Sequence, residues 1–255
     1  MRLVSLCPSL TELLHDLGAM DEVVGRTRFC IHPVHWVSTI EKVGGTKNPK
    51  IARIVELAPD LVLMNEEENR REDAELLLAA GIAVHTSMPR TAWDTAVMVR
   101  SIGDAIGRSA EGERIARDIE GRAERVQRDA AGLTTVTYAY LIWREPWMTV
   151  NDDTFVGAML QLAGGVNVFG SNAARYPAFT LDALGTLNPD VVLLASEPFP
   201  FALAHIDEVV AATGFDRERL VRVDGELLSW HGSRTSAGID YAEQLLNDCR
   251  ALRAR

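Results

Sequence analysis

Several things are scarce in this chain. Of its 255 residues only three are cysteine, Cys7, Cys30 and Cys249. An odd count with neither a CxxC pair nor metal-ligand spacing argues against a disulfide framework and a zinc site, so the thiols are expected to be reduced and structural. No apolar run approaches the ~20 residues needed to span a bilayer. Positive charge is short too: 26 Lys and Arg stand against 36 Asp and Glu, for a net charge of -10. The basic residues are scattered, so no positive field exists for nucleic acid. Catalytic signatures are also missing. The chain has no GxSxG, HExxH or Cys-His pairing, and Gly44-Gly45-Thr46-Lys47 lacks the preceding glycine and spacing of a phosphate loop, so an enzyme is not expected. At the N-terminus Met1-Arg2 runs straight into Leu3-Val4-Ser5-Leu6, without a basic n-region, apolar h-region or cleavage site. As written, the chain is expected in the cytoplasm, unless a leader has been removed.

What is present reads as α/β. Hydrophobic residues make up 47% and charged residues 24% of the chain, ordinary values for a packed domain, and the length suits one large core or two half-sized lobes. Short apolar runs at 3–6, 61–64, 82–85, 137–142, 191–195 and 220–223 predict buried parallel strands, with amphipathic helices between them. The first helix is expected to take Ser9 as N-cap with Glu12 three residues on, and Gly18 as its C-terminal stop. A weak internal repeat favours two lobes. Residues 54–64, IVELAPDLVLM, match residues 184–194, LGTLNPDVVLL, each running from a helix end through Pro-Asp (Pro59-Asp60, Pro189-Asp190) into a strand. Between the halves, residues 109–131 carry Ile115, Ile119, Ala123 and Val126 at spacings of four and three. That pattern predicts one long helix of roughly 20 residues, ~30 Å at 1.5 Å per residue.

The motifs then become recognisable. VSLCPSLTELL, LGAMDEVVGRTRFCIHP, VGGTKNP and the strand before NEEENRRED resemble the N-terminal lobe of the periplasmic binding proteins whose lobes are joined by one helix. WREPWMTVNDDTFVGAMLQLAGGVNVFG, RYP and DGELLSWHGSR are similar to the C-terminal lobe of that class, especially its cobalamin-binding subgroup, the helical-backbone metal receptors. The resemblance covers nearly the whole chain. It implies two Rossmann-like α/β lobes, at 1–106 and 133–255, joined by a single long helix at 107–132, with the ligand cleft between lobes. It also implies a solute-binding protein for a bulky metal chelate, most of all a corrinoid such as cobalamin, feeding an ABC importer. Haem and ferric siderophores are alternative ligands, no covalent cofactor is implied, and a monomer is expected. The rival reading is a cytoplasmic haem, corrinoid or siderophore carrier or sensor with no transport role.

A flat, largely apolar chelate is best held by aromatic faces with a few polar groups fixing orientation. Phe29 and His32, with Trp36 nearby, follow the second strand, and the first two match aromatic positions of cobalamin receptors. In the second half, the loop Trp143-Arg144-Glu145-Pro146-Trp147 is expected to turn Trp143 toward the core and Trp147 toward the ligand. Tyr176 offers a further ring. In Ser229-Trp230-His231-Gly232-Ser233-Arg234, Trp230 is a candidate for stacking and Arg234 for pairing with a carboxylate or phosphate. His32 and His231, expected on opposite lobes, are candidate axial ligands of the chelated metal. The resemblance also implies docking to a membrane permease through one acid on each lobe. Glu67 and Glu72 in the first half, and Glu197 at the repeat position of Glu67, are the candidates; a glutamate run opening a helix is equally a solvated face complementing the helix dipole.

Overall fold

The computed structural model describes residues 1–253. The chain divides into two compact units. The first comprises Met1–Pro89, Trp93–Glu120 and His231–Arg234; the second comprises Arg90–Ala92, Gly121–Trp230 and the chain from Thr235 onward.

In the first unit the elements run β1 (Leu3–Ser5), α1 (Pro8–Asp16), β2 (Val23–Arg26), α2 (Val34–Val37), β3 (Glu41–Lys42), α3 (Ile51–Glu56), β4 (Leu61–Asn65), α4 (Arg71–Ala79), β5 (Ala83–Ser87) and α5 (Ala92–Ala105). Helix α6 (Ser109–Ala130) follows, and the division between units falls inside it. The strands form one wholly parallel sheet in the order β3-β2-β1-β4-β5. Every residue of β1 and β4 is buried, which is why both read as unbroken apolar runs rather than alternating ones. Val4, Leu6, Val62, Met64 and Leu77 are the heart of this core.

The second unit runs β6 (Val136–Trp143), β7 (Met148–Thr149), α7 (Phe155–Leu162), β8 (Gly165–Asn167), α8 (Leu181–Leu187), β9 (Val191–Ala195), α9 (Leu203–Thr213), β10 (Leu220–Val223), α10 (Gly225–Ser229) and α11 (Thr235–Arg253). Its sheet is β10-β9-β6-β7, with β8 parallel to the start of β6 and β7 antiparallel to its end. All six apolar runs picked from sequence are strands of these two sheets.

The internal repeat has a physical cause. Ala58 and Asn188 both sit in the left-handed region, with φ of 44° and 45°. Each is followed by a buried proline, Pro59 and Pro189, and then by an aspartate that receives the backbone amide opening the neighbouring strand. Asp60 Oδ2 accepts from Arg2 N at 2.6 Å, and Asp190 Oδ2 accepts from Thr137 N at 2.7 Å. The Pro-Asp pair thus sets β4 against β1 and β9 against β6, satisfying an amide that would otherwise lack a ladder partner.

Helix α6 matches its predicted span, with Ile115, Ile119, Ala123 and Val126 all buried. Its first half is tied to α5 through Arg100, which pairs with Glu113 and Glu120. Its second half is tied to α11 through Arg125, which pairs with Asp240 and Glu243. The capping expectation for α1 needs correction. The helix begins two residues earlier, at Pro8, whose fixed φ suits a first helical position, and Cys7 is the N-cap. Ser9 and Glu12 are therefore free for other partners.

Candidate functional site

In open parallel sheets, ligands gather at the carboxyl ends of the strands where the winding direction reverses. In the first unit that place lies between β1 and β4. Here the chain is braced by two buried asparagines. Asn65, the last residue of β4, donates to Ser87 O at 3.0 Å and accepts from the amides of Glu67 and Glu68. Asn69 donates to Leu6 O and Thr46 O, both at 3.0 Å, and accepts from Asn65 N. The carboxyl ends of β1, β4 and β5 and the loop after β3 are thereby stitched together. In Asn65-Glu66-Glu67-Glu68-Asn69 the three glutamates are conspicuous in sequence, but the enclosed flanking amides are the informative feature.

Onto this edge comes the segment 231–234. His231 is buried, with Nε2 3.2 Å from Ser9 Oγ and 3.4 Å from Asn65 Nδ2. Arg234 forms a two-pronged pair with Glu12 at 2.6 and 2.7 Å. Gly232, at φ 104°, passes close to Ser9 O and Leu13, and a side chain there would be strained. Ser9 and Glu12, three apart on α1, thus receive His231 and Arg234, three apart in the chain. The expectation that His231 lies on the opposite lobe from His32 is overturned: both belong to the first unit. Burial pushes the His231 imidazole down to about 4, so it is neutral, and its Nε2 is taken up by Ser9 rather than offered to a metal. Arg234 is likewise spent on Glu12. His32, the other candidate axial ligand, is half-buried in the loop after β2.

That loop carries the exposed rings of the first unit. Arg26, buried at the end of β2, donates to Val37 O at 2.8 Å and to Thr27 O at 3.0 Å, closing the excursion from 27 to 37. Thr27 Oγ1 contacts Cys30 Sγ and accepts from Phe29 N. The rings left outside are Phe29, 46% exposed, and Trp36, 40% exposed, the latter edge-on to His15. The three cysteines are buried and free; enclosure pushes the Cys7 thiol up to about 12 and that of Cys249 up to about 11, so neither is a reactive thiolate.

In the second unit the edge is aromatic. Between β6 and β7, Glu145 takes a left-handed φ of 67°, which separates the two tryptophans. Their expected roles are exchanged. Trp147 stacks on Phe201, 5.9 Å between ring centres at 6°, leans on Phe179 and packs against the core. Trp143 remains 41% exposed and meets Phe199 edge-on at 5.7 Å. Phe199 and Phe201 also touch each other and His205. Sequence reading missed both phenylalanines, although Pro198-Phe199-Pro200-Phe201 directly follows the end of β9 and its Glu197. Arg144 is held by Glu208 of α9 and by Glu145. Tyr176 is exposed, with the Arg175 guanidinium 5.6 Å from its ring centre.

Trp230 is not a surface ring. It is buried, and its Nε1 donates to Glu197 Oε1 at 2.6 Å; Ser229 Oγ bonds the same oxygen at 3.0 Å. Glu197, expected as a docking acid, is thus committed to fixing this tryptophan. Glu67 is half-buried, with its carbonyl receiving Lys47 Nζ at 2.6 Å, and Glu72 is exposed in the first turn of α4. Among the described residues no cluster of three or more His, Cys, Asp or Glu is placed to hold a metal ion, and no helix is long and apolar enough to cross a membrane.

Comparison with known proteins agrees with this architecture. Among curated relatives, a vitamin B12-binding protein of Vibrio parahaemolyticus is 26% identical over 191 residues, covering 75% of this chain and 69% of that protein. An ABC transporter substrate-binding lipoprotein of Bacillus subtilis is 27% identical over 259 residues, covering 97% and 80%. Among solved structures, the periplasmic vitamin B12 binding protein of Vibrio cholerae aligns with a TM-score of 0.84 at 19% identity, covering 98% of this chain and 97% of that one. A periplasmic heme-binding protein of Roseiflexus sp. RS-1 gives 0.86 at 21% identity over 98% of each. The fold is that of class III periplasmic binding proteins, and the matched proteins are described as binding proteins. Location is corrected as well: the cytoplasmic expectation drawn from the N-terminus is overturned by a family and relatives that are periplasmic or surface lipoproteins. With residues 3–240 matched by the family model described as periplasmic binding protein, the chain belongs to the periplasmic binding protein family.

Proposed function

We propose that this chain binds a bulky, flat metal chelate, a corrinoid of the cobalamin type, and delivers it to an ABC importer. The observation that carries this reading is the run of rings at the carboxyl edge of the second sheet, Trp143, Phe199, Phe201 and Trp147, with Trp143 left facing out. Backed by these rings, the exposed Trp143 offers a large apolar face at low entropic cost, which suits a macrocycle and gives little grip on a small polar solute. Phe29, His32 and Trp36 on the first unit and Trp143 and Tyr176 on the second are the residues assigned to ligand contact. Trp147, Trp230, His231, Arg144 and Arg234 hold those residues' surroundings in place. The vitamin B12-binding relatives support a corrinoid over haem or a ferric siderophore. Delivery is assigned to the exposed acid Glu72, with Glu67, on the first unit, as charges that steer the encounter with a basic permease surface.

Titration of the purified protein with cyanocobalamin, dicyanocobinamide and haemin, followed by tryptophan fluorescence, tests the reading. Saturable quenching by a corrinoid is expected, reduced in Trp143→Phe. Flat titrations with all three ligands would refute it, and quenching by haemin alone would move the assignment to haem.

A further inference from the structure

The arginines around these edges differ in one respect. Arg26 is spent on backbone carbonyls, Arg144 on Glu208, Arg175 on Asp153 and Arg234 on Glu12. Arg28 has no carboxylate or carbonyl for its guanidinium among the described residues, in a chain with 36 acidic side chains against 26 basic ones. Its guanidinium carbon lies 4.8 Å from the centre of the Phe29 ring.

The platform beneath it is built. Arg28 N donates to Gly44 O at 2.8 Å, and Phe29 N donates to Thr27 Oγ1, so the backbone under both side chains is fixed. The ring edge rests on Gly45. A Cβ there would fall 3.3 Å from Phe29 Cε2 and 2.4 Å from Asn48 Oδ1, so only glycine gives the ring and the Asn48 side chain this seat. A guanidinium laid over an aromatic face keeps its in-plane N–H groups pointing outward, and that fork matches a carboxylate or phosphate.

We infer that Arg28, seated on Phe29, is a specificity-determining residue that takes an anionic substituent at the periphery of the chelate, a phosphate or a carboxylate. This rests on the chelate reading and refines it. The second unit supplies an internal control. Arg175 sits over Tyr176 in the same dipeptide arrangement, but its Nε donates to Asp153 O at 2.7 Å and lies 3.4 Å from the Asp153 carboxylate. That cation is already neutralised, so Arg28 alone of the two discriminates by charge.

The experiment compares two ligand pairs by equilibrium binding at low and moderate salt. Cyanocobalamin carries a phosphodiester that dicyanocobinamide lacks; haemin carries two propionates that its dimethyl ester lacks. Wild type is expected to prefer the anionic member of at least one pair by about 10-fold or more, as a charge-assisted hydrogen bond supplies, and salt should weaken the preference. A preference confined to the corrinoid pair identifies the anion as phosphate, and one confined to the haem pair identifies it as carboxylate. In Arg28→Gln the preference should fall close to one, in Arg28→Lys it should persist in part, and in Arg175→Gln it should be unchanged. Chelate binding with no anionic preference, or with a preference that survives Arg28→Gln, overturns this inference and leaves the chelate reading standing. Absence of binding by all four ligands overturns both.

Discussion

The two units wind similar, largely parallel sheets but finish their carboxyl edges differently. In the first, polar groups hold the edge: Asn65 and Asn69 tie strand ends together, and Ser9 and Glu12 receive His231 and Arg234. In the second, rings hold it, with Trp147 stacked on Phe201 and Phe199 braced between Phe201 and Trp143. A hydrogen-bonded edge fixes backbone and leaves only a few rings outside. A ring-packed edge spends Trp147 and Phe201 on the core and leaves Trp143 as its exposed face, so stability and recognition fall to neighbouring rings. Mutations in the second unit should therefore divide between Trp147, whose loss costs stability, and Trp143, whose loss costs recognition.

The largest effect is expected from Trp147→Ala. Removing a ring that packs against the core and stacks on Phe201 should cost about 3 kcal/mol or more in a denaturant melt, whereas Trp143→Ala, which removes an exposed ring, should stay within about 1 kcal/mol of wild type. Equal losses would erase the distinction drawn between the two tryptophans.

Next comes the pH dependence of the first unit. Burial lowers the folded pKa of His231 from 6.5 to about 4, so the unfolded chain binds the extra proton across that window. Stability attributable to the neutral ring is then present above about pH 6.5 and lost as pH falls toward 4, by about 3 kcal/mol in all. Urea midpoints measured from pH 7 to 4 should fall more steeply for wild type than for His231→Gln. Parallel profiles would show that the imidazole is not enclosed as described.

Smaller differences are expected at the repeated turns. Asp190 receives both the amide and the hydroxyl of Thr137, at 2.7 Å each, while Asp60 receives the single amide of Arg2. Asp190→Ala should therefore cost about 2 kcal/mol and Asp60→Ala about 1 kcal/mol, read from thermal or urea melts; the reverse order would contradict the account of the repeat. Of similar size is the effect on recognition: Trp143→Ala should weaken chelate binding about 10-fold, near 1.4 kcal/mol, with little change in melting.

Much of this was legible in the amino acids. Apolar runs marked the buried strands because parallel strands are enclosed on both faces, and the four apolar residues of α6 fell on the buried side of one long helix. The Pro-Asp repeat marked equivalent turns because each aspartate answers the same unpaired amide. What sequence left hidden depended on partners far away along the chain. Ser9 and Glu12 look like a helix cap, yet their partners lie 222 residues on. Trp143 and Trp147 differ in exposure because of a left-handed residue between them and phenylalanines beyond β9, neither of which periodicity reveals. Trp230 offers a stacking ring in sequence, and only the fold brings Glu197 onto its indole nitrogen.

The most direct test of the central claim is equilibrium dialysis of the purified protein against cyanocobalamin, with retained corrin read from its own absorbance. The account predicts saturable retention approaching one corrinoid per chain, weakened about 10-fold in Trp143→Ala. No retention above that of an unrelated protein, at corrinoid concentrations well above those of the protein, would contradict it.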